Sequence, residues 1–330
     1  MSTTTTLEAP PAPAAHRRWV ETLGLLARNP MAVASGIVLF GLVLVAVLGS
    51  AIAPYGYNEI AADIATGRLQ PPTTEHWFGT DNLGRDVFSR VLLGASVSLQ
   101  VGFIAVTISL VAGTLIGIVA GYYGRWLDDG LMRFMDVLFA FPAILLAIVV
   151  LAVLGPGITN AMIAIGIVYT PIFARLARAS TLSVREEVYV RASRSAGASD
   201  VRILGRHVLP NIAPPLIVQT SLSLAFAILS EAALSFLGLG TQPPDPSWGR
   251  MLAEGRAFIE QAWWMALFPG LAIFIVVLAF NVLGDALRDV LDPKQRSVIA
   301  GAVGRGGAAD VVGGTGRASG RSGGGKGAES

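Results

Sequence analysis

Three places in the chain hold residues whose types could do chemistry, and spacing decides what each can do. His76, Asp81 and Asp86 put an imidazole and two carboxylates into one short segment. They are metal ligands by type, but their spacing fits no standard ligand pattern, so ordinary loop polarity is the stronger reading. Glu231 is an acid inside a long apolar run. A charge at a helix centre costs about 2.5–3.5 kcal/mol on insertion scales, so Glu231 must face a polar cavity or partner, or stay protonated. Proton coupling is one role for it; a structural hydrogen bond near the outer end of its helix, to a neighbouring helix or subunit, is the stronger one. Gly320 to Gly327 (GRSGGGKG) nearly matches the phosphate-binding loop G-x-x-x-x-G-K-[ST]. Gly327 stands where the Mg²⁺-ligating hydroxyl belongs and no strand precedes it, so the match is chance in a glycine-rich tail. The histidines stand alone, and neither His-Glu-x-x-His nor Gly-x-Ser-x-Gly occurs. With no catalytic, cofactor or metal constellation, the chain does not read as an enzyme.

A polar stretch from Val188 to Pro215 organises the rest by separating two long apolar runs. Val188, Ala192 and Ala196 recur at i, i+4, i+8 with Arg191 and Arg194 on another face, so Glu186 to Ala196 reads as a short amphipathic helix. Gly197 ends it. Ser199 is placed to cap a second helix with Val201, Leu204 and Val208 as its apolar stripe, and Pro210 is expected to stop that helix. The product is a helical corner with Arg191, Arg194, Arg202 and Arg206 outside, where something acidic or polar should dock. A solvated basic loop on the positive side of a membrane is the plain alternative.

The surrounding elements read as membrane spans. Of 330 residues, 53% are hydrophobic and only 14% charged, and the mean hydropathy is positive, which marks a polytopic membrane protein. The absence of cysteine excludes disulfides and thiol chemistry. Residues 1–28 read as a disordered cytoplasmic tail, 29–55 as an uncleaved first transmembrane helix, and 56–93 as an extracytoplasmic loop. Residues 94–296 read as a five-helix core holding the polar corner at 186–213, and 297–330 as a flexible Gly-rich cytoplasmic tail. Within the core the spans are expected at Gly94 to Gly121, Phe134 to Leu154 with a kink at Pro142, Ile158 to Phe173 with a bend at Pro171, Pro214 to Leu237, and Met265 to Leu283. Gly113-x-x-x-Gly117 permits close helix approach, and Trp263-Trp264 suits an interfacial aromatic belt. If the corner is inside, only Arg68, Arg85, Arg90, Arg250 and Arg256 of the 24 Lys and Arg lie outside, so both termini are expected in the cytoplasm.

The spacing Arg191-Ala192-Ser193, three residues, Gly197, nine residues, His207-Val208-Leu209-Pro210 resembles the EAA loop of ABC-importer permeases. Arg191 stands where that family has Glu, Ser193 where it has the second Ala, and His207 where it has Ile. Three further stretches resemble the dipeptide, oligopeptide and nickel import group in family order: His76 to Asp86, Glu231 to Gly249, and Phe280 to Pro293. The resemblance implies an all-α fold of the type I importer class with six transmembrane helices, in a bacterial inner membrane. It also implies a role for Arg191, Ala192, Ser193, Gly197, Leu209 and Pro210 in docking an ATPase subunit. The partners it implies are a homologous second permease, two ATPase subunits holding ATP and Mg²⁺, and an extracytoplasmic binding protein. Within the group peptides are the expected cargo and nickel or another small solute the alternative. From another class, an ion-gradient transporter using Glu231 predicts matching broken helices and further intramembrane acids, and neither is found. A membrane scaffold or receptor subunit would leave the corner unexplained.

Overall fold

The computed structural model describes residues 24–60 and 67–291; the two expected tails lie largely outside them. Asn29 starts the first helix, α1 (Pro30–Ile52), by accepting hydrogen bonds from the amides of Met31 and Ala32. Ile37, Phe40 and Val47 of this helix stay exposed, as suits a helix surrounded mostly by lipid.

The second helix, α2 (Val87–Tyr123), is 37 residues long, about 55 Å against a hydrocarbon core of about 30 Å. It starts at Val87, not near Gly94, because Asp86 caps it: its carboxylate accepts from both the amide and the hydroxyl of Ser89. Gly113, Gly117 and Gly121 form a seam against α5 (Ile158–Arg185). A Cβ at Gly117 would stand 2.3 Å from the carbonyl oxygen of Ala174, and one at Gly113 2.6 Å from that of Thr170. The expected close approach therefore exists, and it joins these two helices. α5 continues through Pro171 to Arg185, well past Phe173.

The third expected span is not a kinked helix. α3 (Arg125–Ala140) and α4 (Ala143–Leu154) meet at 97°. Phe141 is extended at φ −85°, ψ 140° ahead of Pro142, the conformation a residue before proline prefers. With 12 residues, α4 reaches only about 18 Å. α3 is amphipathic and turns its charges to α5: Arg178 donates to Asp128 at 2.6 Å and Arg175 to Asp136 at 2.6 Å.

After α6 (Val188–Ser195) and α7 (Asp200–Ile203), a π-helical turn at Leu204–Val208 runs directly into α8 (Leu209–Phe236). Pro210 does not stop the second helix of the corner. It is the second residue of α8, directly after the π-helical turn, and Pro214 and Pro215 lie inside α8 instead of opening it. α9 (Trp248–Gly255) and α10 (Trp264–Leu291) complete the chain. Trp263 is exposed as an interfacial aromatic should be, but Trp264 is buried and donates through Nε1 to the Thr80 carbonyl. Among the described residues five helices are long and apolar enough to cross a membrane, or six if α3 and α4 form one broken span. The only strand-like pairings there are two isolated bridges between α1 and α2, Ile60 with Arg85 and Thr80 with Asp86.

Candidate functional site

The basic corner is built by one glycine. Gly197 takes φ +82°, which glycine adopts without a Cβ penalty. The bonds of a Schellman cap close around it: Gly197 N–H donates to the Arg194 carbonyl at 3.0 Å and Ala198 N–H to that of Ser193 at 3.1 Å. Ser199 occupies the N-cap position of α7 without making a side-chain cap bond. The expected stripe turns inward only at Val208, with Leu204 partly buried beside it, while Val188, Ala192, Ala196 and Val201 are exposed. Val190, Ile203, Val208 and Ile212 are fully buried in the inner hydrophobic core. Val188 and Val201 point outward, at 72% and 82% exposure.

Side chains then fix the corner to the bundle. The Tyr122 hydroxyl, at the end of α2, donates to Asp200 at 2.7 Å, and the Arg194 guanidinium lies 5.0 Å over the Tyr122 ring. Arg185 donates to the carbonyls of Gly121 and Tyr122. Ser193 donates to the Tyr189 carbonyl at 2.8 Å and lies 3.4 Å from His207 Nε2, so two of the substituted motif positions meet. Arg191, Ala192, Leu209 and Pro210 are exposed. The corner thus presents two valines among arginines on a backbone that is rigidly held. Tyr122 and Asp200 escaped sequence reasoning, since a contact between residues so far apart leaves no local pattern.

At the opposite end, His76, Asp81 and Asp86 are buried and belong to an ion-pair network. His76 Nδ1 is 3.0 Å from Asp86, Arg85 donates to Asp81 at 2.6 Å, and Arg85 and Arg90 both reach Glu254 of α9, at 3.3 and 3.1 Å. Arg250 donates to Glu254 at 3.1 Å from one turn earlier. Among the described residues no three His, Cys, Asp or Glu side chains gather as metal ligands would; arginines occupy Asp81 and Glu254, and His76 and Ser89 occupy Asp86. Glu254 was missed, although its i,i+4 spacing from Arg250 was a readable signal.

Glu231 is 1% exposed. Its Oε1 accepts from the Ser235 hydroxyl at 2.7 Å and the Thr241 hydroxyl at 3.4 Å, while Oε2 has no hydrogen-bond partner. Its hydrogen bonds therefore run to its own helix and the loop that follows.

These features define a multi-helix protein with five or six candidate membrane spans among the described residues, a rigidly held basic corner at one end of the bundle and a buried ion-pair network at the other. The family model for the binding-protein-dependent transport system inner membrane component matches residues 113–297, and that for the N-terminal TM domain of oligopeptide transport permease C matches residues 18–72. The dipeptide transport system permease protein DppC of Alkalihalophilus pseudofirmus is 49% identical over 84% of this chain and 91% of its own length. The glutathione transport system permease protein GsiD of Escherichia coli is 50% identical over 84% of this chain and 90% of its own. A putative peptide transport system permease protein of Brucella suis is 52% identical over 77% and 86%. Among solved structures, an inward-facing MetNI methionine ABC transporter chain aligns at TM-score 0.50 and 19% identity over 61% of this chain and 96% of its own, a likeness of fold. The chain belongs to the family of inner-membrane components of binding-protein-dependent transport systems, and is an ABC transporter permease. That membership sets aside the ion-gradient transporter and the scaffold.

Proposed function

We propose that the chain is one of two different permease subunits of an ATP-driven importer of short peptides, with both termini in the cytoplasm. The relatives named for dipeptides, glutathione and peptides support the cargo, and the distribution of Lys and Arg supports the orientation. Two ATPase subunits hold ATP and Mg²⁺ and hydrolyse the nucleotide, and an extracytoplasmic protein delivers the peptide. ATP and cargo then shift the transporter between inward- and outward-facing states through their different affinities for each.

The observation that carries this reading is the corner at Gly197. Arg191, Ala192 and Ser193 lie on its first helix, Leu209 and Pro210 at the start of the span it drives, and exposed Val188 and Val201 flank the turn. Such a surface fits a cleft with an apolar floor and acidic walls on the ATPase. The substitution Gly197→Val places a branched side chain at positive φ, where an L-residue pays about 1–2 kcal/mol or more. No side chain or backbone atom stands within 4 Å of a Cβ there, so the cost falls on the turn alone. Co-purification of the ATPase and ATP-dependent dipeptide uptake should both fall at least tenfold, while the amount of permease in the membrane holds. Gly197→Asn, which tolerates this conformation, should retain most of both. Unchanged co-purification with Gly197→Val would sink the docking role.

A further inference from the structure

We propose that the loop from Pro71 to Gly79 is the seat of the peptide-delivering extracytoplasmic protein, with Trp77 as its apolar anchor and Glu75 as its charged one; this rests on the importer reading given above. The loop is closed at its neck. The Leu69 amide donates to the Asp81 carbonyl at 3.1 Å, the Thr80 amide to that of Gln70 at 3.0 Å, and the Gln70 amide to the Thr80 hydroxyl oxygen at 2.9 Å. The Thr80 hydroxyl in turn donates to the Gly67 carbonyl at 2.6 Å. A short segment with its ends tied together in this way is a compact surface loop of the kind that carries function.

Within the loop, alternate residues are fixed and displayed. The His76 carbonyl accepts from the amides of Thr73 and Gly79, at 2.8 and 2.9 Å, and the His76 amide donates to the Thr73 hydroxyl oxygen at 3.0 Å. The His76 ring is buried, with Nδ1 3.0 Å from Asp86 and the Tyr55 ring 5.4 Å away. Phe78 stacks on Phe268 of α10, with centroids 3.8 Å apart and planes 6° apart, and meets Phe88 of α2 edge-on at 5.0 Å. The neighbours of Trp77 on both sides are thus locked to the ends of α2 and α10. Trp77 itself rests on Phe88 at 4.9 Å and stays 62% exposed, and Glu75, on the other side of His76, is exposed as well. An imidazole and a carboxylate that suggest a metal by type hold a loop in place instead.

An exposed tryptophan on a backbone already ordered loses little entropy on docking, and residues of this kind dominate the energy of protein interfaces. Charge then narrows the partner. The arginines buried at this end, Arg85 and Arg90, are neutralised by Asp81 and Glu254. Of the charged groups left exposed on the described outer residues, Glu59, Glu75, Asp245 and Glu260 outnumber Arg68 and Arg256. The outer face is therefore acidic. The surface that meets it carries an apolar pocket for Trp77 inside a rim of lysine and arginine, since complementary charge steers encounter and fixes register. A bilayer surface of anionic headgroups would repel the same face.

The test uses the complete importer, with its second permease and ATPases, in nanodiscs, and follows ATP hydrolysis against the concentration of its binding protein loaded with a mixture of dipeptides. Trp77→Ala should raise the concentration needed for half-maximal stimulation about tenfold or more. Glu75→Lys, which reverses an exposed charge and removes no packing, should raise it several-fold, an effect that fades as salt is added. Membrane accumulation and ATPase co-purification should hold in both. Trp77→Cys, in a chain with no cysteine of its own, gives a second readout: a membrane-impermeant maleimide labels it in the importer alone, and saturating binding protein slows that labelling at least fivefold. Native half-maximal concentrations in both variants, with the native importer stimulated normally, would overturn the seat and leave the importer reading standing. Loss of accumulation in Trp77→Ala beside a native-like Glu75→Lys would make Trp77 a folding residue and overturn it too. A Trp77→Cys thiol that resists maleimide without binding protein would place the indole in the headgroup layer, with the same consequence. If the importer with native residues shows neither stimulation nor ATP-driven peptide uptake, the transport reading itself falls, and the seat with it.

Discussion

Tyr122 joins the end of α2 to the corner through one hydrogen bond to Asp200. A neutral donor to a carboxylate contributes about 1.5–3 kcal/mol, and the partial exposure of this pair puts it at the low end. Tyr122→Phe keeps the ring under Arg194 and removes only the hydroxyl. We expect the permease to accumulate normally while limited proteolysis between Glu186 and Arg206 accelerates several-fold; an unchanged cleavage rate would show that the bond does not hold the corner. Gly197 and Tyr122 differ in how they could be read. A glycine between two amphipathic stretches announces a left-handed turn in the chain itself. Nothing local announces that the hydroxyl of Tyr122 meets Asp200, because that pairing exists only once α2 and the corner are packed. The same division applies to Glu231. Its place in an apolar run demanded a partner, but the Thr241 hydroxyl comes from the loop after α8, whose return no spacing encodes.

The helices themselves were legible where composition alone decides, and illegible where a neighbour decides. α1, α2, α5, α8 and α10 follow from length and apolarity. The right-angle break between α3 and α4 does not, since hydropathy sees an apolar run and not the ion pairs that draw Asp128 and Asp136 to α5. Pro210 was misread for a related reason. Proline can end one helix or stand at the start of the next, and the π-helical turn before it makes the two continuous. The outer network carries a prediction about element packing. Arg85 and Arg90 are buried and share Glu254 with the half-buried Arg250, so Glu254→Gln leaves three cations short of one counter-charge while preserving shape. Breaking a buried ion pair by removing one partner costs about 3–5 kcal/mol. Membrane accumulation should drop several-fold and the midpoint of thermal unfolding in detergent should fall, with Glu254→Asp intermediate. A native midpoint in Glu254→Gln would mean that Asp81 alone satisfies both buried arginines.

Taken as one object, the molecule has two polar ends of opposite design. At one end Asp81, Arg85, Asp86 and Arg90 are buried and held in a network of ion pairs and hydrogen bonds. At the other, arginines and two valines face outward on a backbone held by a Schellman cap. Exposed valine on a rigid, basic surface is a cost that docking removes, and that supports the proposed seat of the ATPase at the corner, with the peptide donor at the other end. Single cysteines test the placement directly. Trp77→Cys and Val201→Cys sit at opposite ends, both well exposed at 62% and 82% in the native side chains. A membrane-impermeant maleimide applied to spheroplasts should label the first and spare the second. In inside-out vesicles the order should reverse, and co-expression of the ATPase subunits should then cut labelling of Val201→Cys at least fivefold without touching a cysteine at exposed Val47 treated with a lipid-soluble reagent. Labelling of Val201→Cys from the outside would invert the whole molecule in the membrane. Labelling from the inside that ignores the ATPase would leave the orientation standing and remove the corner from the interface.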